Sequence, residues 1–478
     1  MEFDLSKRHC FYFNETTKIP HGSYNEKALS DYIVEFAKAH NFKYMQDDMW
    51  NVIVYKPASV GYESAEPLII QAHIDMVCEK NKDSNHNFET DPLQLYVEDG
   101  WLKAKGTTLG ADDCAGAAYM LAILEDDTLA HPALECIFTV QEEVGLFGAM
   151  NLKAEDISAH RMISLDGGGE VSTLLSSAGG CRADISKKLE WEENADACYR
   201  VAVRGLFGGH SGGEIHKEKG NANVLVARIL KEAQINGCDI QLINFNGGLK
   251  DNAIPREADM VFASNTNVEE LKKSLFNTEN DIKIELEFSD AGFHMEFEPV
   301  ETESKKLTQA VSDAILDYAM LMPNGFMHRS MAIEGLTLTS LNLGVVEMDE
   351  EHISFHVSIR SAIESGIDHL VRQLELLAKH LGFAIETGAR YPGWNYSEVS
   401  GMRDIYDEVV QELYGKPLVK LAAHGGCECG VFKALVNDMD IISVGPVSKD
   451  IHTPDESLDL ASFDRTYTIL RNIVSRCK

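Results

Sequence analysis

The 478-residue sequence predicts an α/β protein: a mostly parallel sheet with helices on both faces, split by an inserted α+β domain. Three observations carry this expectation. Residues 1–182 alternate short apolar runs with helical patterns. Between 183 and 388 the strands lengthen and alternate apolar with polar residues. From 389 to 478 the first texture returns, as one domain interrupted by another would show and three successive domains would not.

Along the chain, Ser23-Tyr24-Asn25-Glu26 has the form of a capping box opening an amphipathic helix to about residue 40. Residues 50–56 and 67–73 read as strands, 113–127 as a helix rich in Ala, Leu and Met, and 134–140 and 161–166 as short strands ending in polar residues. In parallel sheets, function gathers at such carboxyl ends. The insertion carries strands at 199–204, 285–288 and 352–360 and helices at 221–234, 268–276, 303–320 and 368–381. Their order, roughly strand–helix–strand–strand twice over, hints at a duplicated unit. After GARYPG (388–393) come a helix (403–414), a strand (417–422), a helix (429–436), a strand (440–444) and a final helix (459–475).

Composition narrows the partners. Forty-three basic residues against 76 acidic ones leave a net charge of −33, which repels phosphate backbones and offers no polybasic segment to anionic lipid. Nucleic acid and membranes are therefore excluded as expected partners. The longest apolar run, 114–124, falls far short of the ~20 residues of a membrane span. No signal-peptide layout opens the chain, and ten cysteines without a CxxC pair do not build a disulfide scaffold. The expectation is a reduced, cytoplasmic protein.

Five groups of metal-ligand type fall at strand ends or in the loops beyond them. His73 and Asp75 close the strand 67–73; at a spacing of two they share one side, so the carboxylate can take the second imidazole N–H of a metal-bound His. Gly110-Ala111-Asp112-Asp113 turns into a helix, where Asp113 suits an N-cap. Glu142 and Glu143 follow the strand 134–140; adjacent carboxylates point apart, so one can bind metal while its neighbour takes a proton from water. Asp166 ends the strand 161–166, and His452 lies in GPVSKDIHTPD (445–455). Each has a bland alternative: a buried His, a helix-first-turn acid, a solvated acidic turn. Together they supply two His and three carboxylates, a shared-carboxylate set suited to two ions of Zn²⁺, Mn²⁺ or Co²⁺.

His-x-Asp, Gly-Ala-Asp-Asp, Glu-Glu, Asp and a late His-Thr-Pro-Asp-Glu, in that order, resemble the M20 family of metallopeptidases. TTLGAD (107–112), GGHSGGEIH (208–216), GNAN (220–223), NAIPREA (252–258) and ECG (428–430) extend the likeness over essentially the whole chain, toward the family's dipeptidases. The resemblance implies that His73 and Asp166 hold one metal, Glu143 and His452 the other, and that Asp112 bridges both. It makes Asp75 the residue that orients His73 and Glu142 the general base. Asp166, where much of the family has Glu, matches its aminopeptidase and dipeptidase branch. The insertion becomes a lid that also dimerises many members. His210 becomes the lid histidine that stabilises the carbonyl oxygen, often in the partner's site. Asn252 and Arg360 become substrate-facing groups, Arg360 being suited to a free C-terminal carboxylate.

The implied activity is hydrolysis of dipeptides with free termini, Xaa-His types included, by a homodimer carrying two divalent metal ions, Zn²⁺ with Mn²⁺ or Co²⁺ as alternatives. A tripeptide aminopeptidase or N-acyl amino acid hydrolase on the same site is the nearest competitor. A non-catalytic binding protein on the same fold is the competitor of another class, and no ligand or base position is lost that would mark it. His424–Cys429 (HGGCEC) imitates a Cys/His metal site, but Cys-x-Cys is too closely spaced for a structural Zn site. It reads instead as a Gly-rich, substrate-side loop leading into a helix. Cys114 reads as a small buried residue, and His21 and His216 as structural or rim residues.

Overall fold

The computed structural model describes residues 2–478 and forms two compact units. One comprises the residues up to Ser177 together with Trp394–Ala422 and Cys427–Lys478; the other comprises Ala178–Gly393 and Ala423–Gly426. The strand Gly179–Lys188 runs through the boundary expected at 182/183.

The first unit holds a six-stranded sheet in the order Lys43–Gln46, Val52–Lys56, Leu134–Thr139, Leu68–His73, Arg161–Ser164, Asp440–Ser443. The last four run parallel; the first two join as a hairpin and pair antiparallel with the rest. Leu68–His73 and Leu134–Thr139 are buried at every residue, as a strand covered on both faces must be. The helix Ala111–Glu125 has no polar face, every residue from Asp113 to Leu124 being buried. Phe13, Tyr119, Phe138 and Phe463 anchor this core.

The second unit is built on nine antiparallel strands, eight of them in the order His294–Val300, Ala197–Arg204, Ala258–Ser264, Gln241–Gly247, Thr337–Met348, His352–Ser361, Gly179–Lys188, Ala384–Tyr391; Gly325–Arg329 pairs with Thr337–Met348. Its helices are Ala222–Ile235, Val268–Glu285, Gln309–Leu321 and Glu364–Leu381. Each half of the sheet interleaves two of these helices with its strands, and the halves meet through one ladder pair, Gly247 with Val346. A separate core around Phe245, Phe262, Tyr318 and Phe355 supports it.

Three local expectations are corrected. The first long helix is Lys27–Ala39 with Glu26 as its N-cap, not Ser23: the Ser23 hydroxyl is donated to Asp75 instead. Residues 285–288 continue and end the helix Val268–Glu285 rather than forming a strand. The pattern at 303–320 divides into the strand Lys305–Leu307 and the helix Gln309–Leu321, with Thr308 at the N-cap. Among the described residues, no helix is long and apolar enough to cross a membrane, and all ten cysteines are free.

Candidate metal centre

Parallel pairing brings the carboxyl ends of three strands to one edge. His73, the last residue of its strand, pairs with Thr139; the Gln141–Glu143 turn follows Thr139, and Asp166 follows the strand Arg161–Ser164. The helix Ala111–Glu125 enters the same edge through Gly110, whose φ of 70° is left-handed. Asp112 and Asp113 at its start have non-helical backbone angles, and the peptide bond between them is cis. A buried carboxylate, Glu456, holds this entry by accepting from the amides of Leu109 (2.7 Å), Gly110 (3.0 Å) and Ala111 (2.8 Å). Asp113 accepts from the amide of Gly116 at 3.1 Å, as an N-cap does.

The five ligand candidates converge. Asp112 Oδ1 lies 3.0 Å from His73 Nε2, and its Oδ2 lies 3.3 Å from His452 Nε2. Glu143 Oε1 is 2.9 Å from the same His452 nitrogen. Ligand atoms of His73, Asp112 and Asp166 lie within 4.8 Å of one another, as do those of Asp112, Glu143 and His452, so Asp112 is common to both groups. Burial alone would lower the basicity of His73, but Asp112 and Asp75 outweigh it and hold the imidazole well above its usual range. Asp112 and Glu143 raise His452 to about 10. Burial, followed by the charge of Asp112 and then Glu143, pushes the Asp166 carboxyl up to about 7.

Two expected details differ. The strand ends at His73, so Asp75 is already in the loop: His73 Nδ1 lies 3.1 Å from the Asp75 carbonyl oxygen and 3.5 Å from its Oδ1. Both acceptors call for a proton on Nδ1, which leaves Nε2 for a metal. Glu142 and Glu143 do not point apart, because they lie in a turn after the left-handed Gln141 (φ 53°) and not in extended chain. An oxygen of each comes within 4.8 Å of the other and of His73. Burial first, and the negative charges of Asp166, Glu428 and Glu143 after it, raise the Glu142 carboxyl well above its usual range.

His210, Asn252 and Arg360 belong to the second unit. His210 pairs with Ala253 in a two-residue ribbon, and Asn252 offers its carbonyl to the Ser211 amide at 2.9 Å. His210 Nδ1 accepts the amides of Gly212 and Gly213, both at 3.1 Å, so the ring proton sits on Nε2. Burial and then the positive charge of Arg360 lower the basicity of this histidine. Arg360 donates to the Tyr391 hydroxyl at 3.3 Å, while its buried Nε has no partner among the described residues. In HGGCEC, His424 bonds Ser340 at 2.7 Å and, buried and near Arg360, falls to about 3; Cys427 is the N-cap of the helix Glu428–Leu435. Cys114 is fully buried and His21 buried on the Ile19 carbonyl.

Glu456 and Glu428 sit inside the HTPDE and ECG motifs, which by themselves assign them no role. Glu428 is a buried carboxyl that accepts from Gln71 (2.5 Å) and Thr139 (2.8 Å) and is pushed up to about 8 by burial. Its signals in the sequence are the ECG motif and a glutamate opening an apolar helix.

The fold and this cluster of imidazoles and carboxylates define a metallopeptidase. The chain belongs to peptidase family M20/M25/M40, whose family model matches residues 69–476. It is 37% identical to the cytosol non-specific dipeptidase of Escherichia coli K12, over 97% of this chain and 96% of that one. The crystal structure of aminoacylhistidine dipeptidase from Vibrio alginolyticus superposes with a TM-score of 0.92 at 33% identity, covering 98% and 96% of the two chains. An aminopeptidase from Bacillus cereus, 15% identical with a TM-score of 0.58 over the full length of both, shares the fold.

Proposed function

We propose that the protein is a metal-dependent dipeptidase cleaving dipeptides with free termini, Xaa-His dipeptides among them. The observation that carries the reading is Asp112, one carboxylate within ligand reach of both the His73/Asp166 and the Glu143/His452 pairs. The similarity to two dipeptidases over nearly the whole chain supports the substrate class.

The donor set fits two divalent ions. Three carboxylates crowd against two imidazoles, and burial with the neighbouring charges of Asp112 and Glu143 outweighs the two imidazoles at Asp166, which is raised to about 7; a bound cation would relieve that crowding. His73 and Asp166 would hold one ion, Glu143 and His452 the other, with Asp112 between them. Zn²⁺ suits these nitrogen and oxygen donors, and Mn²⁺ or Co²⁺ would serve. When bound, such a pair lowers the pKa of water and polarises a carbonyl.

The chain's own groups do the rest. Asp75 holds His73 in the tautomer that frees Nε2. Glu142, with its raised affinity for a proton, takes one from the attacking water and returns it to the leaving amine. His210, with Nδ1 occupied by two backbone amides, offers its Nε2 proton to the carbonyl oxygen as charge develops there. Arg360, with an unpaired buried Nε, reads the substrate carboxylate, and Asn252 is a further substrate-facing group. In this reading the first unit is catalytic, the second is a lid that dimerises, and the protein works as a cytoplasmic homodimer.

Metal analysis of the purified protein together with a panel of free and end-blocked dipeptides tests the proposal. Two ions per chain and cleavage of free dipeptides alone are expected; full activity in metal-free protein would refute it.

A further inference from the structure

Four consecutive backbone amides lead into Glu143, and none of them is bonded by another backbone group. The strand Leu134–Thr139 ends one residue before them, so the ladder no longer supplies carbonyls. Side-chain oxygens take over: Asn51 Oδ1 accepts from Val140 (3.1 Å), Glu26 Oε1 from Gln141 (3.2 Å), and Asp75 from Glu142 (Oδ1, 3.0 Å) and Glu143 (Oδ2, 3.3 Å). Asn51, Glu26 and Asp75 are all fully buried.

Each of the three acceptors is itself held. The Asn51 amide nitrogen donates to Asp47 Oδ2 (2.7 Å) and to the Gly148 carbonyl (2.9 Å), which turns Oδ1 toward Val140. A Cβ on Gly148 would collide with the Val140 carbonyl and with Asn51 Oδ1. Glu26 Oε1 also accepts from the Tyr24 amide at 3.0 Å, and Ser23 donates to Asp75 at 2.8 Å. The Val140 amide is buried and must be paired, and the three part-buried amides after it are taken up by fully buried oxygens, so these oxygens hold the path of the backbone. That path includes the left-handed Gln141, a conformation a non-glycine residue keeps only where its surroundings impose it.

We propose that Glu26 and Asn51 are positioning residues of the reaction: with Asp75 they cradle the amides of residues 140–143 and so aim the base Glu142 and the ligand Glu143. This rests on the proposed assignment of those two glutamates. The pattern that looks like a helix-capping box, Ser23 to Glu26, is in this account part of the catalytic support. Asp75 acquires a second task, since the carboxyl that faces His73 also carries the turn bearing both glutamates.

The test compares Glu26→Met, which removes the acceptor, with Glu26→Gln, which keeps an oxygen at the same reach. Hydrolysis of an unblocked Xaa-His dipeptide is measured at equal metal content. Displacing a catalytic group by about 1 Å costs on the order of 10²-fold, so Glu26→Met should lose roughly 10- to 100-fold in kcat with KM little changed, and Glu26→Gln should recover most of it. Amide hydrogen exchange of metal-free protein gives a reading independent of turnover: residues 140–146 should exchange faster in Glu26→Met than in Glu26→Gln or wild type. Tyr119→Phe, which removes a buried bond to the Phe463 carbonyl, is the control for general destabilisation. Should Glu26→Met not fold, Glu26→Asp, too short to reach the Gln141 amide, takes its place. Retention of kcat within twofold, or an equal kcat loss in Tyr119→Phe, would overturn the cradle. Absence of metal-dependent hydrolysis in the wild type would instead overturn the proposed function, and the exchange result would still decide whether the cradle holds the turn.

Discussion

His452 Nε2 lies 2.9 Å from Glu143 Oε1, although 309 residues separate the two. Without metal that nitrogen carries a proton, held up to about 10 by Asp112 and Glu143. A metal ion held by His452, as proposed, would have to displace it. Because the folded value lies above the ordinary one, the imidazolium's contribution to the metal-free fold is complete below about pH 6.5 and is lost as pH rises through about 10. Metal uptake should therefore release protons and tighten between pH 6 and 8. Calorimetry in buffers of different ionisation enthalpy measures this directly; uptake without proton release would contradict the assignment of His452.

Chelation should abolish hydrolysis, and Zn²⁺, Mn²⁺ or Co²⁺ should restore it. The same titration, followed by thermal unfolding, should show each active preparation more stable than the metal-free protein, since an ion bound only by the folded state stabilises it.

Glu142→Gln should keep both metals and lose about 10²–10⁴-fold in kcat, the usual contribution of a general base. Glu143→Gln should weaken one metal instead. Kinetics set beside metal content per chain separates the two, and an exchange of these phenotypes would reverse the assignment of adjacent residues.

With Arg360 as the proposed reader of a free substrate carboxylate, substrate length should matter sharply. Blocking either end of a good dipeptide, or lengthening it, should cut kcat/KM. Efficient cleavage of tripeptides or of N-acetyl amino acids would make the activity that of a tripeptide aminopeptidase or an N-acyl amino acid hydrolase instead.

His210→Ala should lose about 10²–10³-fold in kcat, as removal of an oxyanion donor does, with metal content unchanged. Mixing His210→Ala with Glu142→Gln chains under conditions of subunit exchange decides where the histidine acts. Recovered activity places it in the partner's site; none, with exchange demonstrated, places it in its own chain or outside the reaction.

Local pattern was enough for much of this protein. Short apolar runs ending in His73, before Glu142 and before Asp166 mark strands of a parallel sheet, and parallel strands bring their carboxyl ends to one edge whatever lies between them. The ligand candidates were legible for that reason, as was the helix Ala111–Glu125 from its unbroken apolar composition. What remained closed was which buried oxygen meets which amide. Ser23 and Glu26 have the spacing of a capping box, yet Ser23 bonds Asp75, 52 residues away, and Glu26 bonds the Gln141 amide, 115 residues away. Residues 303–320 carry one apolar pattern and form a strand and then a helix. Spacing along a chain reports which side chains share a face. The partner of a buried carboxyl is chosen only when the packed fold removes water and leaves a particular amide within reach, and that choice belongs to the tertiary structure.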